Sequence, residues 1–301
     1  MTQHIAVLKG GLSAERDVSL TSGKAVEAAL DALGYRYTSV DVSHDVATVL
    51  AELKPDVAFN ALHGRYGEDG TMQGILEYLQ IPYTHSGVLA SALAMDKPAA
   101  KKIFAQAGLR CANGGVFTKA QMLAGDVMPR PYVVKPLNEG SSVGVTIVME
   151  DDDFAFDKSN WDFGEKVLVE QFIPGREVQV AVLDDEALGA IEIKPLNKFY
   201  DYEAKYTDGK AQHLMPAPMD KAKYIEVLEL AVTAHRALGC RGLTRSDFRF
   251  DEEGDGQFYI LETNTQPGMT PLSLAPEIAA HVGIDFNELI DRLIKGAQLD
   301  E

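Results

Sequence analysis

Two acidic residues, Asp247 and Glu262, lie in two apolar segments that a Gly-rich turn connects. If the turn is a two-residue hairpin loop centred on Gly254-Asp255, a favourable composition for such a loop, the segments pair with Asp247 opposite Glu262. Arg245 is then opposite Asn264. Because side chains alternate between the two faces of a strand, all four lie on one face. The spacing therefore predicts two carboxylates, an amide and a guanidinium side by side.

This acidic face could bind a metal ion. Opposed like charges destabilise a strand pair, and a divalent cation would remove the repulsion. Mg²⁺ suits such a site because it prefers carboxylate and carbonyl oxygens together with substrate phosphates. The alternative is a solvated acidic face that Arg245 and Arg249 neutralise. The spacing alone leaves both interpretations open.

A second candidate element is a lysine at the end of an apolar strand. Lys135 lies in the run Tyr132–Pro136, and the small residues Gly-Ser-Ser-Val-Gly follow at 140–144. Small residues let backbone N–H groups approach phosphate oxygens, and a lysine adds a positive charge. The same five residues match the nucleophile elbow of hydrolases, but that motif requires a following helix, and a β-rich run follows here. We therefore expect phosphate binding and not hydrolase chemistry.

Other common nucleotide and metal motifs are missing from the sequence. It contains no G-x-x-x-x-G-K-[ST], which excludes a P-loop NTPase. The stretch Gly10-Gly11-Leu-Ser-Ala does not fit G-x-G-x-x-G, so a dinucleotide site is not expected. The seven histidines show no H-E-x-x-H spacing.

The elements of the first 95 residues alternate between apolar strands and helices, which is typical of a doubly wound, parallel α/β sheet. The predicted strands are His4–Leu8, Tyr37–Val42 and Asp56–Leu62, and the predicted helices are Val18–Leu33, Val46–Leu53 and Thr71–Leu79. Ligands of such sheets lie beyond the carboxyl ends of the strands. Lys9-Gly10-Gly11 and His63-Gly64 are expected at two of these ends.

Beyond residue 95, where we place a domain boundary, the pattern indicates antiparallel α+β structure. Asp96 is predicted to cap a helix over Lys97–Ala107. The predicted strands are Tyr132–Pro136, Val143–Met149, Lys166–Phe172, Glu177–Leu183, Ala187–Ile193, Leu243–Phe250 and Gln257–Asn264, with one long helix at Lys221–Leu238. The polar stretch Asn197–Gln212 lacks periodicity and is long enough to be a lid that closes over a ligand.

The composition is that of a folded, acidic protein. Its 301 residues suggest two or three domains at roughly 150 residues per domain, and 46% of them are hydrophobic. A formal net charge of −17 disfavours nucleic acid and anionic membranes as partners. Two distant cysteines form no disulfide framework, and no apolar run is long enough to span a bilayer or serve as a signal peptide. We therefore expect a cytoplasmic protein.

Eight segments, in the right order along the chain, resemble the D-alanine–D-alanine ligases of the ATP-grasp superfamily. They are LKGGLSAERDVSL at 8–20, ALHGRYGEDG at 61–70, MDKPAAKKIF at 95–104, VVKPLNEGSSVGV at 133–145, VEQFIPGREVQVAVL at 169–183, KFYDYEAKY at 198–206, TRSDFRF at 244–250 and LETNTQPGMTPLSL at 261–274. The resemblance implies an N-terminal α/β substrate-binding domain over 1–95 and a two-lobed ATP-grasp fold. Its central lobe would span 96–180, and its C-terminal lobe, with the catalytic and metal site, 181–301.

The resemblance also implies a two-step reaction. ATP phosphorylates the carboxylate of one D-alanine, and the amine of a second D-alanine attacks the acyl phosphate. The products are ADP, phosphate and D-alanyl-D-alanine, a precursor of peptidoglycan. Because this chemistry brings anions together, it needs Mg²⁺ and cationic side chains.

For the metal and the phosphates, the family ligands map onto the acidic face described above. Asp247, Glu262 and Asn264 would hold two Mg²⁺ ions, which Mn²⁺ can replace, with Glu262 bridging them. Lys97 and Lys135 resemble the phosphate-binding lysines.

For the rest of ATP, the resemblance implies an adenine site, a ribose site and a lid. Glu170 would receive the adenine amino group, and the backbone of Gln171, Phe172 and Ile173 would line the ring edge. Gln171 replaces a lysine common in relatives, with little expected consequence because the contact is through backbone. Glu177 would bind ribose. Lys205 would reach the γ-phosphate as the lid closes and excludes water.

For the first D-alanine, Glu15 resembles the carboxylate that anchors the ammonium group, with His63 nearby. Arg245 and the backbone N–H of Gly268 would stabilise the oxyanion of the tetrahedral intermediate.

For the second D-alanine, Ser273 and Leu274 would receive the carboxylate. Glu15, Ser141 and Tyr206 would form a hydrogen-bonded triad across the closed lid and orient the attacking amine.

Two rival functions stay open at the level of sequence. One is another ATP-grasp carboxylate ligase, such as a D-alanine–D-lactate ligase, against which Tyr206 argues. The other is a non-catalytic ATP-binding module, although such a module could have lost Arg245, Glu262 or Lys205, and all three are present. The resemblance further suggests a homodimer formed through the N-terminal part.

Overall fold

The structure is a computed structural model that describes residues 3–138, 144–153, 155–157, 159–195, 211–270 and 272–300. Its strands are β1 His4–Gly10, β2 Arg36–Val42, β3 Val57–Asn60, β4 Gly114–Thr118, β5 Tyr132–Lys135, β6 Thr146–Val148, β7 Lys166–Gln171, β8 Arg176–Leu183, β9 Glu186–Pro195, β10 Ala211–Leu214, β11 Leu243–Phe250 and β12 Phe258–Asn264. Its helices are α1 Arg16–Leu33, α2 Val46–Leu53, α3 Thr71–Tyr78, α4 Val88–Met95, α5 Lys97–Gln106, α6 Lys119–Leu123, α7 Lys221–Leu238, α8 Leu274–His281 and α9 Phe286–Lys295.

The N-terminal sheet is parallel, with the strand order β2-β1-β3. Ile5 and Val7 of β1 share a core cluster with Leu30 of α1. The alternate residue Leu8 shares another cluster with Leu50 of α2, so helices cover both faces of the sheet. This confirms the predicted doubly wound α/β arrangement. The loops that follow β1 and β3 leave from the same edge of the sheet, as parallel strands require.

The remaining described strands form two antiparallel sheets, ordered β4-β7-β5-β6 and β10-β9-β8-β11-β12. The α+β prediction for this part of the chain is therefore confirmed. The long helix α7 has the predicted bounds, Lys221–Leu238. Its residues Val227 and Ala231 share a core cluster with Val178 and Val180 of β8. Packing of this apolar face of β8 directs the alternate residues of the strand to the opposite face.

The β11–β12 pair has the predicted register where the acidic residues lie. Asp247 is the Cα partner of Glu262, and Arg245 is the Cα partner of Asn264. Phe248, one position along, is buried in the core cluster behind the sheet. The predicted polar face of the hairpin is therefore confirmed.

The predicted turn of this hairpin is wrong. The strands end at Phe250 and Phe258, so the connection is longer than a two-residue loop at Gly254-Asp255. The Asp251 side chain accepts a hydrogen bond from the Gly254 N–H at 3.1 Å, which favours a wider turn. A bulge that shifts the register next to Asp247 compensates for the different turn, so the pairing at the site is as expected.

Helices near the C-terminus join the two parts of the chain. Ile290 and Leu293 of α9 share the cluster that contains Val26 of α1, and Ile278 of α8 joins the same cluster. At the chain end, the Tyr83 N–H donates to the Gln298 carbonyl at 3.4 Å. The sequence patterns did not predict α8 or α9, nor the short elements β4, β10, α4 and α6. In the ranges given above, no helix combines the length and apolar character needed to cross a membrane.

The backbone geometry of the turn between β7 and β8 requires a glycine at position 175. Its φ is +91°, and a Cβ there would overlap the carbonyl oxygen of Phe250. We expect Gly175→Ala to lower the free energy of unfolding by about 2 kcal/mol, because a side chain at positive φ is strained. Gly164→Ala is the control, since its Cβ would meet no atom within 4 Å. Urea unfolding followed by circular dichroism measures both variants, and equal stability of the two would show that this turn does not require glycine.

Candidate active site

A cavity lies between the loops that follow β1 and β3, the start of α5 and the β11–β12 hairpin. Nine of the residues singled out from the sequence line it: Glu15, His63, Lys97, Arg245, Glu262, Asn264, Gly268, Ser273 and Leu274. Gln179 and Glu68, which the sequence did not single out, line it as well. Asp247 lies next to the cavity, 4% exposed.

Each carboxylate of the acidic pair contacts a cation. Arg245 donates from Nε and Nη2 to the two Asp247 oxygens, at 2.8 and 2.9 Å. The Lys97 ammonium lies 3.4 Å from Oε2 of Glu262. Arg249, the other arginine expected to neutralise this face, donates instead to the carbonyls of Ile173 and Gly175, at 3.1 and 2.7 Å. The charges of the pair are therefore balanced by one residue of β11 and one of α5.

The donor set of this face suits a hard cation that is also bound by a ligand. In the part of the chain that the structure describes, no group of three or more His, Cys, Asp and Glu residues could hold a metal by itself. Asp247 and Glu262 offer carboxylate oxygens, and the Asn264 Oδ1 accepts the Gln266 N–H at 2.8 Å. Mg²⁺ characteristically binds through one or two carboxylates and completes its shell with water and substrate phosphates. These residues therefore fit Mg²⁺ together with a phosphate ligand.

On the opposite wall, His63 is held by hydrogen bonds on both ring nitrogens. Nε2 lies 2.9 Å from the Ser22 hydroxyl, and Nδ1 lies 3.1 Å from Oε1 of Glu68. Because the carboxylate can only accept, Nδ1 carries a proton and donates to Glu68. The Ser22 oxygen in turn accepts the Met269 N–H at 3.2 Å. This chain of bonds fixes the imidazole against the loop that contains Gly268.

Glu15 lies directly before α1 and is 8% exposed. A Cβ at Gly64 would approach its Oε1 to 2.8 Å, so the backbone after His63 passes close to this carboxylate. The Ser13 hydroxyl donates to the His63 carbonyl at 2.6 Å and accepts the Glu15 N–H at 3.1 Å. The loops after β1 and β3 are thereby tied together, and they present a carboxylate and an imidazole to one cavity.

The loop after β12 ends in a helix N-terminus at the cavity. Ser273 precedes Leu274, the first residue of α8. The Ser273 Oγ accepts the Thr270 N–H at 2.9 Å, and a Cβ at Gly268 would lie 2.8 Å from this oxygen. Backbone N–H groups at a helix N-terminus attract carboxylates and phosphates. This end of the cavity is therefore suited to an anion.

Beside the cavity, two lysines bind one buried carboxylate. Glu170 of β7 pairs with Lys135 of β5 through one oxygen and with Lys101 of α5 through the other. Lys101 also donates to the Ala112 carbonyl at 2.7 Å. Burial raises the pKa of Glu170, but the two lysines outweigh burial and hold the pKa below its ordinary value of 4.5. Lys97, one helical turn before Lys101, donates its backbone N–H to Leu137 at 3.2 Å.

The segment expected to line adenine follows Glu170. The N–H of Gln171 donates to Asn113 at 2.7 Å, and that of Phe172 donates to Pro131 at 3.1 Å. Any N–H donation from this segment to a ligand would therefore come from Ile173. Arg249 fixes the segment from behind, since its guanidinium lies 5.8 Å from the Phe172 ring centroid.

Three residues with implied roles, Ser141, Lys205 and Tyr206, lie outside the described ranges, as does most of the stretch 197–212. Within those ranges, sequence reasoning missed Lys101, Gln179 and Glu68 as parts of the site, and it gave Arg249 a role on the acidic face that the structure does not show. A signal existed for Lys101, because it is four residues after Lys97 and therefore on the same helix face. Arg249 and Gln179 alternate in step with Asp247 and Glu177 along paired strands, but alternation alone does not distinguish them from solvated polar residues.

Comparisons with known proteins cover almost the whole chain. The family models described as D-ala D-ala ligase N-terminus and C-terminus match residues 45–86 and 104–295. A D-alanine–D-alanine ligase of Xanthobacter autotrophicus is 56% identical over 305 residues, which cover 100% of both chains. This chain belongs to the D-alanine–D-alanine ligase family. A ligase of Agrobacterium fabrum with the same name is 55% identical over 301 residues, 98% of each chain.

Solved structures of the same family have the same fold. The D-alanine–D-alanine ligase of Bacillus anthracis in complex with ATP superposes with a TM-score of 0.80 at 30% identity, covering 98% of this chain and 97% of that one. The VanG D-Ala:D-Ser ligase of Enterococcus faecalis gives a TM-score of 0.79 at 28% identity, with 98% and 99% coverage. The expected ATP-grasp fold is therefore confirmed.

The lowered pKa of Glu170 implies that the free energy of unfolding depends on pH. Its charged form stabilises the fold fully above its ordinary pKa of 4.5, and this contribution is lost as the pH falls through the lower pKa of the folded state. Glu170→Gln leaves two lysines without their carboxylate, so we expect it to cost about 3 kcal/mol of unfolding free energy at pH 7. The difference from wild type should shrink as the pH falls below about 4.5.

Urea unfolding between pH 3 and 7 measures this difference. Glu150→Gln, at an exposed position after β6, is the control. A difference between wild type and Glu170→Gln that is constant over this range would contradict the assigned ion pairs.

Proposed function

We propose that this chain is a D-alanine–D-alanine ligase, which uses ATP to join two D-alanines through a D-alanyl phosphate intermediate for peptidoglycan precursor synthesis. The observation that carries the proposal is one cavity lined by an N-terminal carboxylate and imidazole, by the cations Lys97 and Arg245, and by the acidic residue Glu262. The names of the relatives at 53–56% identity support the same activity. ATP is supported by the ATP complex of the Bacillus anthracis relative.

Asp247, Glu262 and Asn264 are proposed to hold Mg²⁺ against the phosphates of ATP. When bound, Mg²⁺ neutralises phosphate charge and so lowers the cost of bringing ATP to a carboxylate. The chain's own cations would do the same work from the other side. Lys97 already contacts Glu262, and Lys135 and Lys205 are proposed to bind phosphate oxygens as well.

Glu170, the backbone of 171–173 and Glu177 are proposed to bind the adenosine part of ATP. Glu170 keeps a capacity to accept hydrogen bonds beside its two lysines, because each carboxylate oxygen has two lone pairs. Glu177 lies on β8 opposite Arg249, whose Nη1 is 4.0 Å from its Oε2. Arg249 also donates to the carbonyls of Ile173 and Gly175, and this support of the segment 171–173 would keep the nucleotide in one orientation.

The first D-alanine is proposed to bind with its ammonium group at Glu15 and near His63. Its carboxylate would then point towards the cations of the opposite wall. Arg245 and the Gly268 N–H would stabilise the negative oxygen of the tetrahedral intermediate. Asp247 orients the Arg245 fork through two hydrogen bonds, which is the preorganisation that such a site requires.

The second D-alanine is proposed to place its carboxylate at Ser273 and Leu274. The N-terminus of α8 supports this assignment, since it favours an anion. Glu15, Ser141 and Tyr206 are proposed to orient the attacking amine. The second candidate function is ligation of D-alanine to D-lactate or D-serine. The similar fold of a D-Ala:D-Ser ligase supports this candidate.

We also propose a cytoplasmic homodimer that associates through the N-terminal domain. The cytoplasm supplies ATP, and the acidic surface disfavours nucleic acid and anionic membranes. In the N-terminal domain Tyr78 and Leu89 are 90% and 69% exposed, which offers apolar surface for association.

Phosphate release with D-alanine, D-lactate, D-serine or L-alanine as acceptor tests the proposed function. We expect ATP- and Mg²⁺-dependent phosphate release with D-alanine and formation of D-alanyl-D-alanine by mass spectrometry. Release that is faster with D-lactate or D-serine would assign a different acceptor. ATP binding without release under any condition would indicate a non-catalytic module.

Glu262→Gln tests the metal assignment. The substitution keeps the shape but removes the charge that would hold Mg²⁺, so we expect turnover to be abolished while the fold is retained. Glu229→Gln, at an exposed position of α7, is the matched control and should behave as wild type. Normal turnover of Glu262→Gln at ordinary Mg²⁺ concentrations would contradict the assignment.

Arg245→Lys tests the oxyanion role. Lysine keeps the positive charge but loses the planar fork that Asp247 orients. Loss of one oxyanion donor typically costs roughly 10²–10³ in rate, so we expect a loss of that order in kcat with little change in the dissociation constant for ATP. Single-turnover kinetics and calorimetry measure the two quantities, and a near-normal kcat would move the role to another residue.

A further inference from the structure

Gln179 lies at the centre of the side of β8 that faces the cavity. It is 0% exposed, lies in the middle of the strand, and has Asp247 on β11 as its Cα partner. Glu177, two residues earlier, lies on the same face. Gln179 lines the cavity together with Lys97 and Glu262. A neutral amide therefore stands between the proposed metal ligands and the proposed ribose carboxylate.

The nitrogen end of this amide has a hydrogen-bond partner, and the oxygen end has none among the described residues. Nε2 of Gln179 donates to Oε1 of Glu177 at 3.2 Å. Because a carboxylate only accepts, this bond fixes which end of the amide is the nitrogen. The Gln179 Oε1 is buried and has no hydrogen-bond partner in the described part of the chain. A buried acceptor without a partner destabilises a fold, so such a group needs an explanation.

We infer that Gln179 recognises the ribose of ATP, with its Oε1 accepting a hydrogen bond from a ribose hydroxyl. This inference rests on the proposed function. Oε1 requires a donor, and phosphate oxygens at neutral pH only accept. A ribose hydroxyl can donate, and the amide nitrogen of Gln179 already contacts Glu177, the proposed ribose carboxylate. The adenine amino group and the D-alanine ammonium are donors too, but they are assigned to Glu170 on β7 and to Glu15 across the cavity.

Gln179→Leu separates the binding of nucleotide from the stability of the free protein. It replaces an amide whose buried oxygen has no partner among the described residues with an apolar side chain of similar size. Its melting temperature without ligand should equal or exceed that of wild type, since a buried acceptor without a partner is removed. ATP should bind about threefold to tenfold more weakly, which is the usual effect of one neutral hydrogen bond. A purely structural residue would give a lower melting temperature instead.

Calorimetry with ATP, 2′-deoxy-ATP and 3′-deoxy-ATP identifies the bonded group. For wild type we expect one of the deoxynucleotides to bind about threefold to tenfold more weakly than ATP. For Gln179→Leu the loss that belongs to the hydroxyl bound by Gln179 should disappear, whereas a loss at a hydroxyl bound by Glu177 should remain. In a Glu177→Ala background the difference should persist, and it should disappear when Gln179→Leu is added.

Gln73→Leu is the matched control. Gln73 is also a buried amide whose Oε1 has no partner in the described residues, but it lies on α3 and is not part of the cavity lining. This control should bind all three nucleotides as wild type does.

Several results would overturn the inference. The first is an ATP affinity of Gln179→Leu equal to that of wild type. The second is an equal loss of affinity for all three nucleotides in Gln179→Leu relative to wild type. The third is disappearance of the deoxynucleotide effect in the single variant Glu177→Ala. Failure of the wild-type chain to bind ATP would instead overturn the proposed function, and this assignment with it.

Discussion

The opposition of Asp247 and Glu262 across β11 and β12 is the constraint on which the site depends. Two carboxylates side by side repel each other and destabilise a strand pair, and cations next to them offset this repulsion. One cation, Arg245, comes from the same strand, and the other, Lys97, comes from the start of α5. The cap at Asp96, whose Oδ1 accepts the Ala99 N–H at 2.9 Å, fixes where that helix begins. Charge balance thus ties the hairpin to a helix that lies far earlier in the chain.

The same requirement explains how an acidic protein can bind an anionic ligand. The chain has a formal net charge of −17, so its general field repels ATP. Lys97, Lys101, Lys135 and Arg245 concentrate positive charge around the cavity and its edge, where each is partly buried against a carboxylate. Phosphate groups would compete with these carboxylates for the cations. Binding of Mg²⁺ at the acidic pair would compensate the carboxylates, so metal and nucleotide would favour each other's binding.

Local signals predicted the elements that local chemistry determines. The apolar patterns identified the sheet strands and the helices α1 and α7, and the cap at Asp96 identified the start of α5. The hairpin register at Asp247 was also predicted, although the assumed turn was wrong and a bulge supplied the compensation. The helix α9 has the same kinds of local signal, since the Asp285 side chain caps it and Leu289, Ile290, Leu293 and Ile294 recur at helical spacing, so it was predictable and was missed. The shorter helix α8 has no side-chain cap, and its apolar residues pack against the strands that it covers.

The contacts that complete the site form between residues that are distant in sequence and come together only in the folded chain. Lys101 and Glu170 are 69 residues apart in sequence, and no spacing rule connects a residue of α5 with one of β7. The same holds for Gln179, whose burial and half-satisfied amide appear only when β8 lies between β9 and β11. Residue types with a family pattern, such as Glu15 and Gly268, could be assigned roles from resemblance, and the cavity brings them together.

Transfer of oxygen from D-alanine to phosphate is the measurement that decides whether ATP activates a carboxylate in this site. D-alanine labelled with ¹⁸O in both carboxylate oxygens is incubated with the wild-type enzyme, ATP and Mg²⁺, and the products are analysed by mass spectrometry. We expect one ¹⁸O atom per dipeptide in inorganic phosphate, because the acyl phosphate gives up its bridging oxygen when the amine attacks. Unlabelled phosphate, or ¹⁸O in AMP, would contradict activation through a D-alanyl phosphate.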